Sequence, residues 1–265
     1  MITLLNGETY GTEEILGFMH SDDFYYGKLG TNALSSSMLK NIFDSPNRQL
    51  KYLKSADKPT DALIIGTLTH WAFLEPHKFD SKHYVEAERI NAKNYKEAEA
   101  KYGAENVYKE KHRAIAEALT RKLHNNEEIR EIRKNAEIEV PMIRMHDGYA
   151  IRGKADLLVD DTIYDLKTGI VSPEDHANWN IKQKHYDLQA YVYMRLFKNA
   201  KHFKHIYINK QTRDIGIIDL PDHVLDRGRM KFEMALEVYK KVFHNKTLDE
   251  VEYDLDQYVY RAEAK

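Results

Sequence analysis

The side chains best able to do chemistry lie between residues 153 and 168, in GKADLLVDDTIYDLKT. Asp156 falls near the end of one alternating run, and Asp165, Leu166 and Lys167 fall on the next. Successive side chains of a strand point to opposite faces. Asp165 and Lys167 are therefore expected on one face, with Leu166 turned to the other, the core side. A hairpin between the two runs would bring Asp156 beside them. Two carboxylates within reach of each other repel unless a cation lies between them. A hard divalent ion such as Mg²⁺ or Mn²⁺ takes oxygen ligands and keeps several waters, so it suits such a set. Taken singly, these residues are ordinary: Asp156 could cap a turn and Lys167 could be a surface strand lysine. Their combination is what points to chemistry.

The surrounding pattern supplies elements able to position them. Residues 137–145, EIEVPMIRM, alternate with a period of two. Asp147-Gly148 follows, an Asp-Gly step of the kind that closes hairpins, and then YAIRGKADLLV. Asp160-Asp161 turns the chain again into TIYDLKT. Three consecutive antiparallel strands are expected over 137–168. Residues 185–198 read as a helix. HIYINK and DIGIIDL read as two further strands joined around Gln211–Arg213, and 221–244 as a last amphipathic helix with Pro221 near its first turn.

Upstream, residues 35–44 read as a short helix capped by Ser35 and stopped by Pro46. Residues 61–74, DALIIGTLTHWAFL, read as an apolar helix that ends before Pro76, with Gly66 marking a close approach. Residues 82–134 read as two helices broken near Gly103, the second starting near Val107. Phe24-Tyr25-Tyr26 reads as either a loose arm or a packing staple. The expected architecture is α/β, a central mixed sheet flanked by helices. Residues 1–265 are taken as one domain, with a helical part at about 33–134 and a sheet core at about 136–220.

Asp156 followed by Asp165-Leu166-Lys167 resembles the core of the PD-(D/E)xK nucleases. Glu137 lies on the preceding strand, where that superfamily often carries an acid. Glu139 sits two residues on and either could point into the site; Glu137 is the one taken here. Gln189 and Tyr193 form a Gln-x-x-x-Tyr arrangement on the following helix, as in the RecB-type branch. His70 sits in GTLTHWAFLEP, where that branch places a metal-ligating histidine, although a histidine on an apolar helix can equally be a core residue. LSSSMLKNIFDSP followed by GTLTHWAFLEP resembles in particular the RecE-like (exonuclease VIII-like) phage exonucleases. The resemblance spans roughly residues 33–200 and keeps the order of all six features. Ala155 stands where many members carry Pro.

The resemblance implies a restriction-endonuclease-like fold and a metal-dependent DNA exonuclease acting on duplex ends, 5′ to 3′. It assigns the metal to His70, Asp156, Asp165 and the Leu166 carbonyl, with Mg²⁺ as the ion and Mn²⁺ as a substitute. Lys167 would hold or help deprotonate the attacking water. Glu137 would orient a second metal or a water, and Gln189 and Tyr193 would position phosphate or the lysine. It also implies a ring-shaped homo-oligomer and a single-strand annealing protein as partner. A single-strand or flap nuclease of the RecB type and a non-catalytic DNA-binding module on the same fold are the rival readings.

Composition bounds these readings. The chain has 265 residues, a formal net charge of -2 and no cysteine. It therefore has no disulfide, thiolate zinc site, cysteine nucleophile or cysteine-held iron–sulfur cluster. No run approaches the roughly 20 apolar residues that span a bilayer, and residues 1–10 lack a secretion-signal pattern, so a cytoplasmic protein is expected. The chain is not globally basic, but charge is uneven. Lys182, Lys184, Arg195, Lys198, Lys201, Lys204, Lys210 and Arg213 face a single acid, Asp187, between 178 and 213. Lys182, Lys184, Arg195 and Lys198 are expected to contact DNA phosphates, which give affinity without sequence readout; such a run can also be a solvated face. Ser35, Ser36 and Ser37 could donate to phosphate from a helix start, or serve only as a cap.

Overall fold

The computed structural model describes residues 1–54 and 59–257. The chain opens with an antiparallel pair, β1 (Ile2–Thr3) and β2 (Thr9–Tyr10), and a helix, Thr12–Phe18. A π-helical turn (Asp23–Lys28), a short helix (Leu29–Asn32) and β3 (Leu34–Ser35) follow. Phe24-Tyr25-Tyr26 lies in the π-helical turn with Tyr25 buried, so it is a packed element and not a loose arm. Ile2, Leu4, Ile15, Met19, Tyr25 and Leu29 form one apolar cluster with Ile143 and Ala150 of the main sheet.

The Ser36–Asp44 helix starts where expected, with the Ser35 Oγ accepting from the Met38 N–H at 3.3 Å. The Asp61–Leu74 helix is capped by Thr60. The 82–134 region differs from two helices. It holds a parallel pair, β4 (His83–Val85) and β5 (Val107–Lys109), and three helices, Lys93–Tyr102, Glu110–Asn125 and Glu127–Asn135. The Asn126 side chain accepts from the Ile129 N–H at 3.0 Å, which divides the last stretch in two. Val107–Lys109 alternates over only three residues, too few to show a period of two against the helix-forming residues that follow.

The main sheet has six strands: β3, β6 (Glu137–His146), β7 (Tyr149–Val159), β8 (Thr162–Gly169), β9 (His202–Asn209) and β10 (Ile215–Asp219). The path runs β10-β9-β8-β7-β3, with β6 also paired to β7. β6–β7, β7–β8 and β9–β10 are antiparallel, while β8–β9 and β3–β7 are parallel. Both expected hairpins form. Their turns place Asp147, Gly148 and Asp160 at φ of 52°, 84° and 51°, a left-handed backbone that Asp and Gly tolerate better than other residues.

Two apolar layers cover the sheet. Leu39, Leu188, Val192, Leu196 and Phe232, from three helices, pack with Ala155, Ile163 and Phe203. Phe73, Leu119, Leu123 and Ile129, from three others, pack with Leu157, Leu166 and Ile206. Leu166 is thus buried in the second layer. Asp165 shares the parity of Ile163 and faces the Tyr186–Leu196 helix in the first.

Candidate active site

The site forms where two strand ladders open around one residue. The β7–β8 ladder runs from Val159↔Thr162 to Leu157↔Tyr164 and then stops. Asp156 has no strand partner on that side, and its Oδ2 accepts the Leu166 N–H at 2.8 Å instead. On the other side, the β6–β7 ladder pairs Ile138 with Leu157 and Val140 with Ala155 but skips Glu139 and Asp156. Glu139 there adopts φ 54°, left-handed backbone that is costly for a glutamate. The pleat is broken at that residue, and the Glu139 carboxylate turns in beside Asp156.

Six side chains converge. Lys167 Nζ lies 2.5 Å from Asp165 Oδ2 and donates to Gln189 Oε1 at 3.1 Å. Gln189 Nε2 donates to Asp165 Oδ1 at 2.8 Å, so one amide bridges the acid and the ammonium. From the opposite helix, His70 Nε2 lies 3.1 Å from Asp156 Oδ1 and 3.4 Å from Glu139 Oε1. Asp165 is almost fully buried, and Asp156 and Gln189 are buried.

The charges in this confined space act on one another. Burial favours a neutral imidazole, but Asp156, Glu139 and Asp165 outweigh it and raise His70 to about 9. Burial and then the neighbouring Asp156 push Glu139 up to about 7. Burial also lifts Asp165, to about 6, although Lys167 opposes it. Asp156 goes the other way: burial would raise it, yet His70, Lys167 and the Leu166 N–H together lower it. Lys167 is raised, because Asp165 outweighs burial, so it stays an ammonium.

A divalent cation fits this donor set. The ligand atoms of His70, Glu75 and Glu139 all lie within 4.8 Å of one another. Glu139 Oε1 is buried without a hydrogen-bond partner. Raised carboxylates and an orphaned buried oxygen mark a site short of positive charge. Its oxygens and one imidazole suit a hard or borderline ion.

The structure brings together His70, Asp156, Asp165, Lys167 and Gln189 and separates other expected residues from them. Glu137 is corrected: it is exposed at the start of β6, opposite Leu158, and Glu139 holds the inward position. The strand alternation that would put both on one face is interrupted by the backbone at Glu139. Tyr193 is buried and its hydroxyl donates to the Lys154 carbonyl at 2.9 Å, so it braces β7 and does not meet the acids. Ser35 is occupied as the helix cap, Ser36 is buried and Ser37 is exposed. Lys182 and Lys184 are exposed on the segment leading into the Gln189 helix. Arg195 lies two residues past Tyr193, about 200° round the helix. With Lys198 it lines a different cavity, shared with Arg144 and Phe232.

Sequence reasoning missed four further residues. Glu75 follows His70 by five positions at the end of the same helix, just before Pro76. Lys154 precedes Asp156 on β7 and lies 3.9 Å from Glu139 Oε2. Lys40 and Lys167 both approach the Tyr186 ring, at 5.3 and 4.7 Å. A glutamate closing a histidine-bearing helix was a signal available for Glu75; the others depend on tertiary contact.

Residues 35–260 match the model of a family described as a PDDEXK-like domain of unknown function (DUF3799). The chain belongs to this family. The match contains every converging residue above and leaves out residues 1–34. No curated protein sequence matches the chain. Among solved structures, this DUF3799 chain is similar to a candidate exonuclease from Eubacterium rectale, with 17% identity and a TM-score of 0.64. That likeness covers 92% of this chain and 96% of the other, and shows a shared fold. An alkaline exonuclease from Laribacter hongkongensis is a more distant likeness, with 12% identity and a TM-score of 0.40 over 89% of this chain and 99% of that one. Among the described residues, no helix is long and apolar enough to cross a membrane.

Proposed function

We propose that this chain is a metal-dependent deoxyribonuclease that hydrolyses phosphodiester bonds from the ends of duplex DNA. The observation that carries the reading is the juxtaposition of Asp156, Asp165 and Lys167 on neighbouring strands, with Gln189 bridging the last two and His70 closing the opposite side. His70, Glu75, Glu139, Asp156 and Asp165, with the Leu166 carbonyl, would hold the ion, Mg²⁺ with Mn²⁺ able to replace it. When bound, such an ion supplies Lewis-acid polarisation of a phosphate oxygen.

The protein side chains do the rest. Lys167 remains charged, which suits it to offset negative charge gathering on the phosphate in the transition state. Gln189 fixes that ammonium against Asp165, so its position is set before substrate arrives. Tyr193 ties the Gln189 helix to β7 and keeps the two halves of the site in register. Exposed Lys182 and Lys184 would bind backbone phosphates without reading sequence. The 5′ to 3′ direction, the ring-shaped homo-oligomer and a single-strand annealing partner in phage-type recombination rest on the resemblance to RecE-like exonucleases alone. We take residues 1–265 as one nuclease domain.

Linear duplex labelled at its 5′ or 3′ ends, supplied with Mg²⁺ and then with EDTA, tests the proposal against a closed circle and a single strand. Label should leave the linear duplex only with Mg²⁺ and should not leave the circle. Preference for the single strand would move the assignment to a single-strand or flap nuclease. No metal-dependent release from any DNA would end it.

A further inference from the structure

We propose that Asp22, in the N-terminal segment outside the family match, is a positioning residue that keeps two lysines off the metal-holding acids. The proposal rests on the metal site of the preceding section.

Two further lysines border the acids. Lys78 Nζ lies 2.8 Å from Glu75 Oε1, and Lys154 Nζ lies 3.9 Å from Glu139 Oε2. Each is shared with the same outside carboxylate. Lys78 pairs with Asp22 Oδ2, and Lys154 lies 3.3 Å from Asp22 Oδ1. One carboxylate thus holds two ammonium groups, one on each oxygen. Among the described residues, the only acids paired with these lysines are Asp22 and the two site glutamates.

The segment that carries Asp22 is fixed in place. Tyr25 is buried against the Arg152 guanidinium of β7, which lies 4.4 Å from its ring centre. Arg152 Nε donates to the Leu29 carbonyl at 3.1 Å. Lys154 Nζ lies over both the Tyr25 and Tyr26 rings, at 4.5 and 5.1 Å, which holds its ammonium against the same turn. Ile2, Ile15 and Leu29 pack on Ile143 and Ala150, so residues 1–34 are docked by an apolar cluster onto β6 and β7.

A divalent ion needs Glu75 and Glu139 to turn towards it, and an ammonium on either one competes. Asp22 gives both lysines another anion to pair with, so the glutamates are released at little electrostatic cost. Without that carboxylate, Glu75 and Glu139 would be the carboxylates left to these lysines among the described residues, and the ion would have to displace the ammonium groups from them. Substituting residues that orient metal ligands usually weakens binding about 10- to 100-fold.

The test is calorimetric titration of the full chain with Mn²⁺, without DNA. Asp22→Asn should bind Mn²⁺ at least about tenfold more weakly than the wild type. Adding Lys78→Met should recover most of the loss. Unchanged affinity in Asp22→Asn would overturn the proposal. So would a loss that Lys78→Met does not recover, since that would be an effect of structure and not of a released ammonium. Should Asp22→Asn fail to fold, Lys78→Met in the otherwise natural chain carries the test: tighter Mn²⁺ binding supports the proposal, and equal or weaker binding overturns it. A wild-type chain that binds no Mn²⁺ would remove the metal site itself, and this proposal with it.

Discussion

Metal binding at this site should release protons, and how many depends on whether His70 is a ligand. Only the deprotonated forms of its residues can coordinate an ion. With His70 at about 9, Glu139 at about 7 and Asp165 at about 6, His70 is protonated at neutrality, Glu139 about half so and Asp165 only to a small extent. At pH 6 the competing protons weaken apparent affinity about 20,000-fold, and at pH 8 only about 12-fold. Affinity should therefore rise about 2,000-fold, or about 4 kcal/mol, across two pH units. If His70 does not coordinate, only the two acids contribute and the rise is about 20-fold. Calorimetry in two buffers of different ionisation enthalpy counts the protons directly. Near pH 7 about 1.6 should leave per ion with His70 as ligand and about 0.6 without it. The smaller values would strike His70 from the ligand set. A flat response over pH 6–8 would refute the electrostatic account of the whole site.

Three shorter predictions follow from the same geometry. Lys167→Ala should lower DNA hydrolysis by about 10²–10³-fold or more while the thermal unfolding midpoint stays near that of the wild type; wild-type turnover would remove Lys167 from the mechanism. His176, whose Nε2 lies 3.0 Å from His205 Nδ1, is lowered to about 4, by burial first and then by Lys167. The unfolded chain then binds the extra proton below the ordinary histidine value, so stability should fall as pH drops from about 6.5 to 4, by up to about 2–3 kcal/mol, as read from urea unfolding and relieved in His176→Gln. Replacing Lys182 and Lys184 by Ala should lower DNA affinity uniformly across sequences and reduce the salt slope by about one per residue that touches phosphate; an unchanged slope would leave them as solvated lysines.

Much of the site could be read from the chain because local rules set it. Asp147-Gly148 and Asp160-Asp161 sit at turns whose backbone those residue types favour, and the turns fix the strands between them. Strand parity then dictates that Asp165 and Lys167 share a face and that Leu166 is buried. Helix spacing predicts that Gln189 and Tyr193 share a side, though not that one meets Asp165 and the other a backbone carbonyl. Glu139 escaped because its position depends on a departure from strand geometry, and period-two reasoning cannot show a departure from period two. Lys154 and Asp22 escaped for another reason. They meet across 132 positions of chain, through the docking of residues 1–34 onto β6 and β7. Nothing within any one of those segments marks the encounter.

Any attempt to make this fold sturdier meets the backbone at Glu139. A side chain with a Cβ in the left-handed region costs of order 1–3 kcal/mol, and this one also buries an acid that burial pushes towards neutrality. Glycine or asparagine there would relieve both burdens. Variants selected for heat resistance alone should therefore drift to those residues and, on the proposed metal site, come out tougher but empty-handed, because the position the scaffold would most readily surrender is one that the proposed site uses.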